Sequence, residues 1–183
     1  MRQPLTLKVD LYNCLHPARS NPIREQLVQF LMNLILENTD QVRFFTDMRK
    51  VFAAAEIAPR DYDWYISDIE TNFTPEGFSA GDQWMHGEEL ASLISTHDIQ
   101  FIWAVFSAVP KGSRPTVSEP PYVEGNPDYW NGRDPAPQLK GALFEIACWD
   151  SSGTILINLP EHAQRAFMAK YPDTQPLIKA ART

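Results

Sequence analysis

Cysteine is scarce in this chain: Cys14 and Cys148 are the only two. Two thiols in separate apolar surroundings cannot build a disulfide framework or, by themselves, a zinc site. The expectation is two reduced thiols, with no metal and no other cofactor. Long apolar runs are missing too, since none approaches the roughly 20 residues that cross a bilayer. Lys8 and Asp10 interrupt the first apolar stretch, so no secretory leader is expected. Basic charge is thin, and the net charge is −7. That excludes nucleic-acid binding driven by counterion release and docking on anionic lipid. A cytoplasmic protein with neither nucleic acid nor membrane as partner is the expectation.

Catalytic signatures are also absent. The sequence has no G-x-x-x-x-G-K-[ST], no G-x-G-x-x-G, no G-x-S-x-G and no H-E-x-x-H. His16, His86, His97 and His162 are widely separated, and none has a second ligand at helical or hairpin spacing. Cys14 and His16 lie two apart, but a Cys–His nucleophile needs its base within hydrogen-bond reach, which proximity in sequence does not secure. No catalytic residue is assigned, and binding is favoured over catalysis.

What is present is ordinary globular material. The hydrophobic share is 44% and the charged share 21%, with ten Phe, six Tyr and five Trp for a core. A length of 183 residues suits one domain, 1–183. Much of the proline falls between Pro110 and Pro137, which predicts one long irregular loop over 110–138. A loop of that length inside a compact domain is unusual and often functional.

Alternation of Leu5, Leu7, Val9 and Leu11 with polar residues predicts a half-buried strand. Asn21-Pro22 reads as a helix start, and Ile23, Leu27, Phe30, Leu31, Leu34 and Ile35 recur at helical spacing. A second helix is expected from about Thr39 or Asp40, carrying Val42, Phe45, Met48, Phe52 and Ala55 inward until Pro59 stops it. The two would form an N-terminal helical hairpin. Strands are further expected over Asp61–Glu70, Gln100–Val109, Leu139–Trp149 and Thr154–Asn158, the last two joined at Asp150–Gly153. Short helices are expected at Gly87–Ile94 and after Pro160, and the tail after Pro176 is expected to fray. The order predicts an α+β fold: a single mixed or mostly antiparallel sheet of about five strands, with the hairpin and two shorter helices mainly on one face.

The most distinctive feature is the distribution of charge. Residues 56–98 hold ten acidic groups and one basic group, a net of −9, while the rest of the chain is near neutral. A concentrated negative field can steer a cationic partner, and Trp or Tyr anchors within it suit an interface. The candidate partner-binding residues are Asp61, Asp63, Trp64, Asp68, Glu70, Glu88 and Glu89. By strand parity Asp68 and Glu70 share a face, as do Asp61 and Asp63. A solvated acidic face, and a carboxylate pair for acid–base work or a hard metal ion, are the competing readings of the same residues.

Asp61-Tyr62-Asp63-Trp64-Tyr65-Ile66, then Gly87 to Leu93, then Phe101 to Pro110 ending in Ala108-Val109-Pro110, form a second kind of signal. They resemble a small family of uncharacterised bacterial proteins, a domain of unknown function found mainly in bacilli. Its pattern is an aromatic strand, a helix opening on glycine, and an apolar strand ending A-x-P. The resemblance spans the middle and C-terminal parts, and the expected hairpin lies outside it. It implies no active site.

Together these readings favour an intracellular binding or inhibitory protein, most specifically an acidic immunity-type protein that neutralises a cationic toxin domain. The alternative is a small enzyme with a carboxylate and histidine site, His86 among the candidates, under the 110–138 loop. A subunit of an oligomer or scaffold is the third reading, and the oligomeric state stays open.

Overall fold

Elements follow the chain in the order β1 (Leu34–Glu37), α1 (Met48–Ala54), β2 (Tyr62–Thr71), β3 (Gln83–His86), α2 (Gly87–Thr96), β4 (Phe101–Pro110), β5 (Phe144–Trp149), β6 (Gly153–Ile157), α3 (Glu161–Lys170) and β7 (Gln175–Pro176). Short 3₁₀ turns occupy Pro59–Asp61, Pro127–Tyr129 and Leu177–Ala180. The computed structural model describes residues 32–182. The expected strand at Leu5–Leu11 and the helix start at Asn21-Pro22 lie outside the described residues.

The class is α+β, as the pattern implies, but two parts of the expectation are corrected. Among the described residues the sheet has seven strands, not five, in the order β3-β2-β4-β5-β6-β1-β7, and every pairing is antiparallel. Where the described residues overlap the expected helical hairpin they do not follow it: Leu34 and Ile35, assigned to its first helix, are in β1, and its second helix begins only at Met48. A short apolar run satisfies helix and strand periodicity equally well, and pairing decides between them. β1 lies between β6 and β7, so both of its edges find main-chain partners. Its side chains also divide as a strand's do, Leu34 and Leu36 to one face and Ile35 to the other.

Three of the seven strands carry no period-two signal. β1 is apolar over its first three residues before Glu37, β3 has four residues, and β7 has two, one of them proline. The segment after Pro176 does not fray, since Leu177 packs against Ile35 and Ile155 in one core cluster and its amide donates to Asn33 O at 2.8 Å.

The three helices among the described residues cover the same face. Phe52 of α1, Leu90 of α2 and Phe167 of α3 join Trp64, Ile66, Phe106, Phe144 and Ile146 in the main core. Trp64 stands edge-on to Phe52 at 5.2 Å and to Phe144 at 5.7 Å, and its indole N–H donates to Pro59 O at 2.9 Å. Burying each such side chain contributes about 1.5–3 kcal/mol. The opposite face is covered by irregular chain. There Ile35, Val105, Ala147, Ile155 and Ile157 meet Val123, Tyr129 and Leu177, while Tyr65 and Val109 meet Leu139.

Candidate functional site

On the loop-covered face the inward positions of the central strands are not all apolar. Asp63, Ser67, Ser107 and Glu145 are buried there. Buried polar groups require partners, and an irregular chain packed on a sheet brings unpaired main-chain amides and carbonyls with it. The two needs meet. Gly112 N–H donates to Asp63 Oδ2 at 2.9 Å, and Ser67 Oγ donates to Pro121 O at 2.7 Å. Glu145 Oε1 accepts from Ser107 Oγ at 2.8 Å and from Leu139 N–H at 2.9 Å, and its Oε2 accepts from Gln138 N–H at 2.8 Å.

Asp68 completes the series through a β-bulge. Ser67 pairs with Val105 and Glu70 with Trp103, so three steps along β2 oppose two along β4. The extra residue puts Asp68 at φ 55°, a left-handed conformation that Asp tolerates. Its Oδ2 accepts from Val123 N–H at 2.6 Å and from Glu124 N–H at 2.9 Å, while its own amide donates to Asp82 Oδ1 at 3.1 Å. The bulge also breaks the parity that placed Asp68 and Glu70 on one face.

These environments shift acidities in opposite directions. Burial pushes the Glu145 carboxyl up, and the Leu139 and Gln138 amides with the Ser107 hydroxyl offset only part of that. Burial acts the same way on Asp63, but the Gly112 amide, His86 and the Gly87 amide together outweigh it, so its carboxyl lies below the usual value. Tyr129, a buried residue of the loop itself, is pushed far up by burial and by the nearby Glu145.

Asp63 also meets a histidine. His86 Nδ1 lies 3.1 Å from Asp63 Oδ1, and Arg114 Nη2 lies 3.2 Å from His86 Nε2. Arg can only donate, so Nε2 accepts and the imidazole proton sits on Nδ1, pointing at Asp63. An imidazole oriented by a carboxylate is the arrangement of a general base. Here, however, Arg114 occupies the lone pair such a base would use, with its guanidinium carbon 5.9 Å from the Trp84 ring. In this state the chain of contacts ties the start of the loop to the sheet. Nothing local in the sequence marks Gly112 or Arg114 as partners of Asp63 and His86.

The remaining carboxylates of the acidic stretch face outward. Glu76, Glu88 and Glu89 line an open groove of about 630 Å³ with Gln83, Trp84, Met85, Ser92 and His97. Among the described residues no Lys or Arg lines it. Its floor is β3, the terminal strand of the sheet among the described residues. Glu88 and Glu89 occupy the first turn of α2, where the helix dipole favours negative charge, and Glu89 Oε2 also accepts from His86 N–H at 2.9 Å. Gly87 fixes where that turn sits. A Cβ there would lie 2.3 Å from both Pro59 O and Tyr62 O, so only glycine lets α2 pack on the 3₁₀ turn.

The seven expected partner-binding residues are therefore not one surface. Trp64 is 0% exposed, because it lies on the helix-covered side of β2. Asp63 is 1% exposed and holds the loop, as does Asp68. Asp61, Glu70, Glu88 and Glu89 are exposed, Asp61 in the 3₁₀ turn and Glu70 on β2. Glu76 joins the groove from the turn before β3, a contact that sequence distance conceals.

Among the described residues no three His, Cys, Asp or Glu side chains are grouped to hold a metal ion. No helix among them is long and apolar enough to cross a membrane. Comparison with known proteins gave no match to a family model, a curated protein or a solved structure.

Proposed function

We propose that this protein binds a cationic protein partner in the groove between β3 and α2, in the manner of an immunity protein neutralising a basic toxin domain. One observation carries the reading: three exposed carboxylates, Glu76, Glu88 and Glu89, line a groove beside the strand that ends the sheet, with no Lys or Arg in its walls among the described residues. An edge strand offers unpaired main-chain groups to an incoming extended segment. The carboxylates supply steering and register for Lys or Arg on that segment. Half-buried Trp84 gives it an apolar anchor. The toxin-neutralising role itself is a class-level analogy.

The test is titration of a decalysine peptide at low salt against two charge-matched double reversals. Glu76→Lys with Glu88→Lys alters the groove and leaves the Glu89 cap intact. Glu119→Lys with Glu124→Lys makes the same change in net charge on the exposed loop. Binding about tenfold weaker for the groove pair alone is expected, at roughly 0.7 kcal/mol per exposed charge. Equal weakening in both variants would show that only net charge matters and would remove the groove from the account.

The Asp63–His86 pair favours a second reading, a small enzyme that works once Arg114 swings away from Nε2. A metabolite that raises the melting temperature of the wild type but not of His86→Ala would support it, because a ligand bound only by the folded state must stabilise it.

A further inference from the structure

Beyond the groove, the loop-covered face holds a second receptor for positive charge, and the chain itself fills it. Trp130 of the loop and Trp149 of β5 stand with ring centroids 4.8 Å apart and planes at 60°, forming an open corner. The Arg182 guanidinium carbon lies 4.1 Å from each indole. Trp149 is braced from behind by Trp103, edge-on at 6.2 Å. Glu37, on β1, accepts a hydrogen bond from Arg182 Nη2, and its side chain is only 8% exposed. Two indole faces and a nearly buried carboxylate are the groups that recognise a planar guanidinium, by cation–π stacking and by charge-assisted hydrogen bonding.

Arg182 is not sealed into this corner. Its side chain stays 43% exposed, and a hollow of about 570 Å³ opens over it, walled by Gly125, Asn126, Pro127 and Asn131 besides the two tryptophans. The buried anchor of the segment lies earlier, at Leu177 and Ala180, and the Arg182 main chain adds one hydrogen bond, to Trp130 O at 3.0 Å. Withdrawal of Arg182 would leave the sheet intact while stranding the Glu37 charge and baring two indoles. An emptied corner is therefore unfavourable, and a second guanidinium of equal chemistry is its natural occupant.

We propose that the Trp130–Trp149–Glu37 corner is a binding site for an arginine side chain of a partner protein, with Arg182 as its exchangeable resident. The site shares no lining residue with the acidic groove, so it stands or falls separately from the function proposed above.

The test uses the full chain with Arg182→Ala, titrated with N-acetyl-arginine methylamide while tryptophan fluorescence is followed. N-acetyl-lysine methylamide serves as comparator. Saturable binding is expected in Arg182→Ala at ligand concentrations about tenfold lower than in the wild type, whose site is occupied. The lysine compound should bind about tenfold more weakly, since an ammonium cannot lie flat in the corner. Adding Trp149→Ala or Glu37→Gln to the Arg182→Ala protein should abolish the signal. If Arg182→Ala does not fold, Arg182→Lys is titrated instead, keeping the charge and vacating the planar stack. A folded variant without saturable arginine binding, or one that binds no better than the wild type, overturns the proposal.

Discussion

Phe144 and Glu145 are neighbours on β5 and point to opposite faces of the sheet. Phe144 sits among the rings of Trp64 and Tyr62 beneath the helices. Glu145 is just as buried, yet its carboxylate accepts hydrogen bonds from two loop amides and from Ser107. The contrast follows from what covers each face. A helix satisfies its own main-chain groups internally, so strands beneath it need offer only apolar surface. An irregular chain cannot do so, and the strands beneath it must carry acceptors at inward positions. Carboxylates serve well because each oxygen can accept more than one hydrogen bond, as Glu145 Oε1 does from a hydroxyl and an amide and Asp68 Oδ2 does from two amides. An acidic stretch in a sequence can thus be an internal fastening as readily as a surface.

Substitutions on the two faces sharpen the contrast. Phe144→Ala should have the largest effect, about 3–5 kcal/mol of global stability by chemical denaturation, because it opens a cavity in the aromatic core. Glu145→Ala should cost about 2–4 kcal/mol by leaving two amides and a hydroxyl unpaired. Its signature should differ, with exchange protection lost first across the loop around Gln138 and Leu139. A uniform loss of protection in both variants would break the distinction between the faces. Gly87→Ala should cost about 2–3 kcal/mol, since main-chain oxygens rather than a pliable side chain block the new Cβ.

A smaller effect concerns acid. Asp63 has a folded-state acidity shifted below its ordinary value of 3.8, so its contribution is present above that pH and is lost as pH falls through the lower folded value. Glu145 is shifted upward, so its sign is reversed: the stability it contributes is present at low pH and lost as pH rises through its folded value. Asp63→Asn should flatten the acid limb of a stability–pH curve and cost about 1–2 kcal/mol at neutral pH. Unaltered acid sensitivity in that variant would mean that the Gly112, Gly87 and His86 contacts do not stabilise its charged form.

Much of this architecture is legible in the chain. Alternation and apolar runs mark β2, β4, β5 and β6, glycine followed by two glutamates marks α2, and the prolines bracket the loop. β1 is misread because Leu34-Ile35-Leu36 satisfies both periods, and only its flanking strands decide. β3 and β7 are too short to show a period. The acidic stretch is legible as charge but not as function. Asp63 and Asp68 look like Glu76 and Glu88 in sequence, and what separates them is a loop that returns some fifty residues later to meet the first pair. The bulge that aims Asp68 has no local marker, and neither does the seating of Arg182 against Glu37.

The central claim is that inward carboxylates fasten the irregular loop to the sheet. Residue-resolved amide hydrogen exchange on the unmodified protein tests it most directly. Gly112, Val123, Glu124, Gln138 and Leu139 donate to Asp63, Asp68 and Glu145. Their amides should exchange about 100-fold or more slowly than that of exposed Glu119 in the same loop, as amides opened only by sub-global unfolding do. Exchange of those five at the rate of Glu119 would contradict the account.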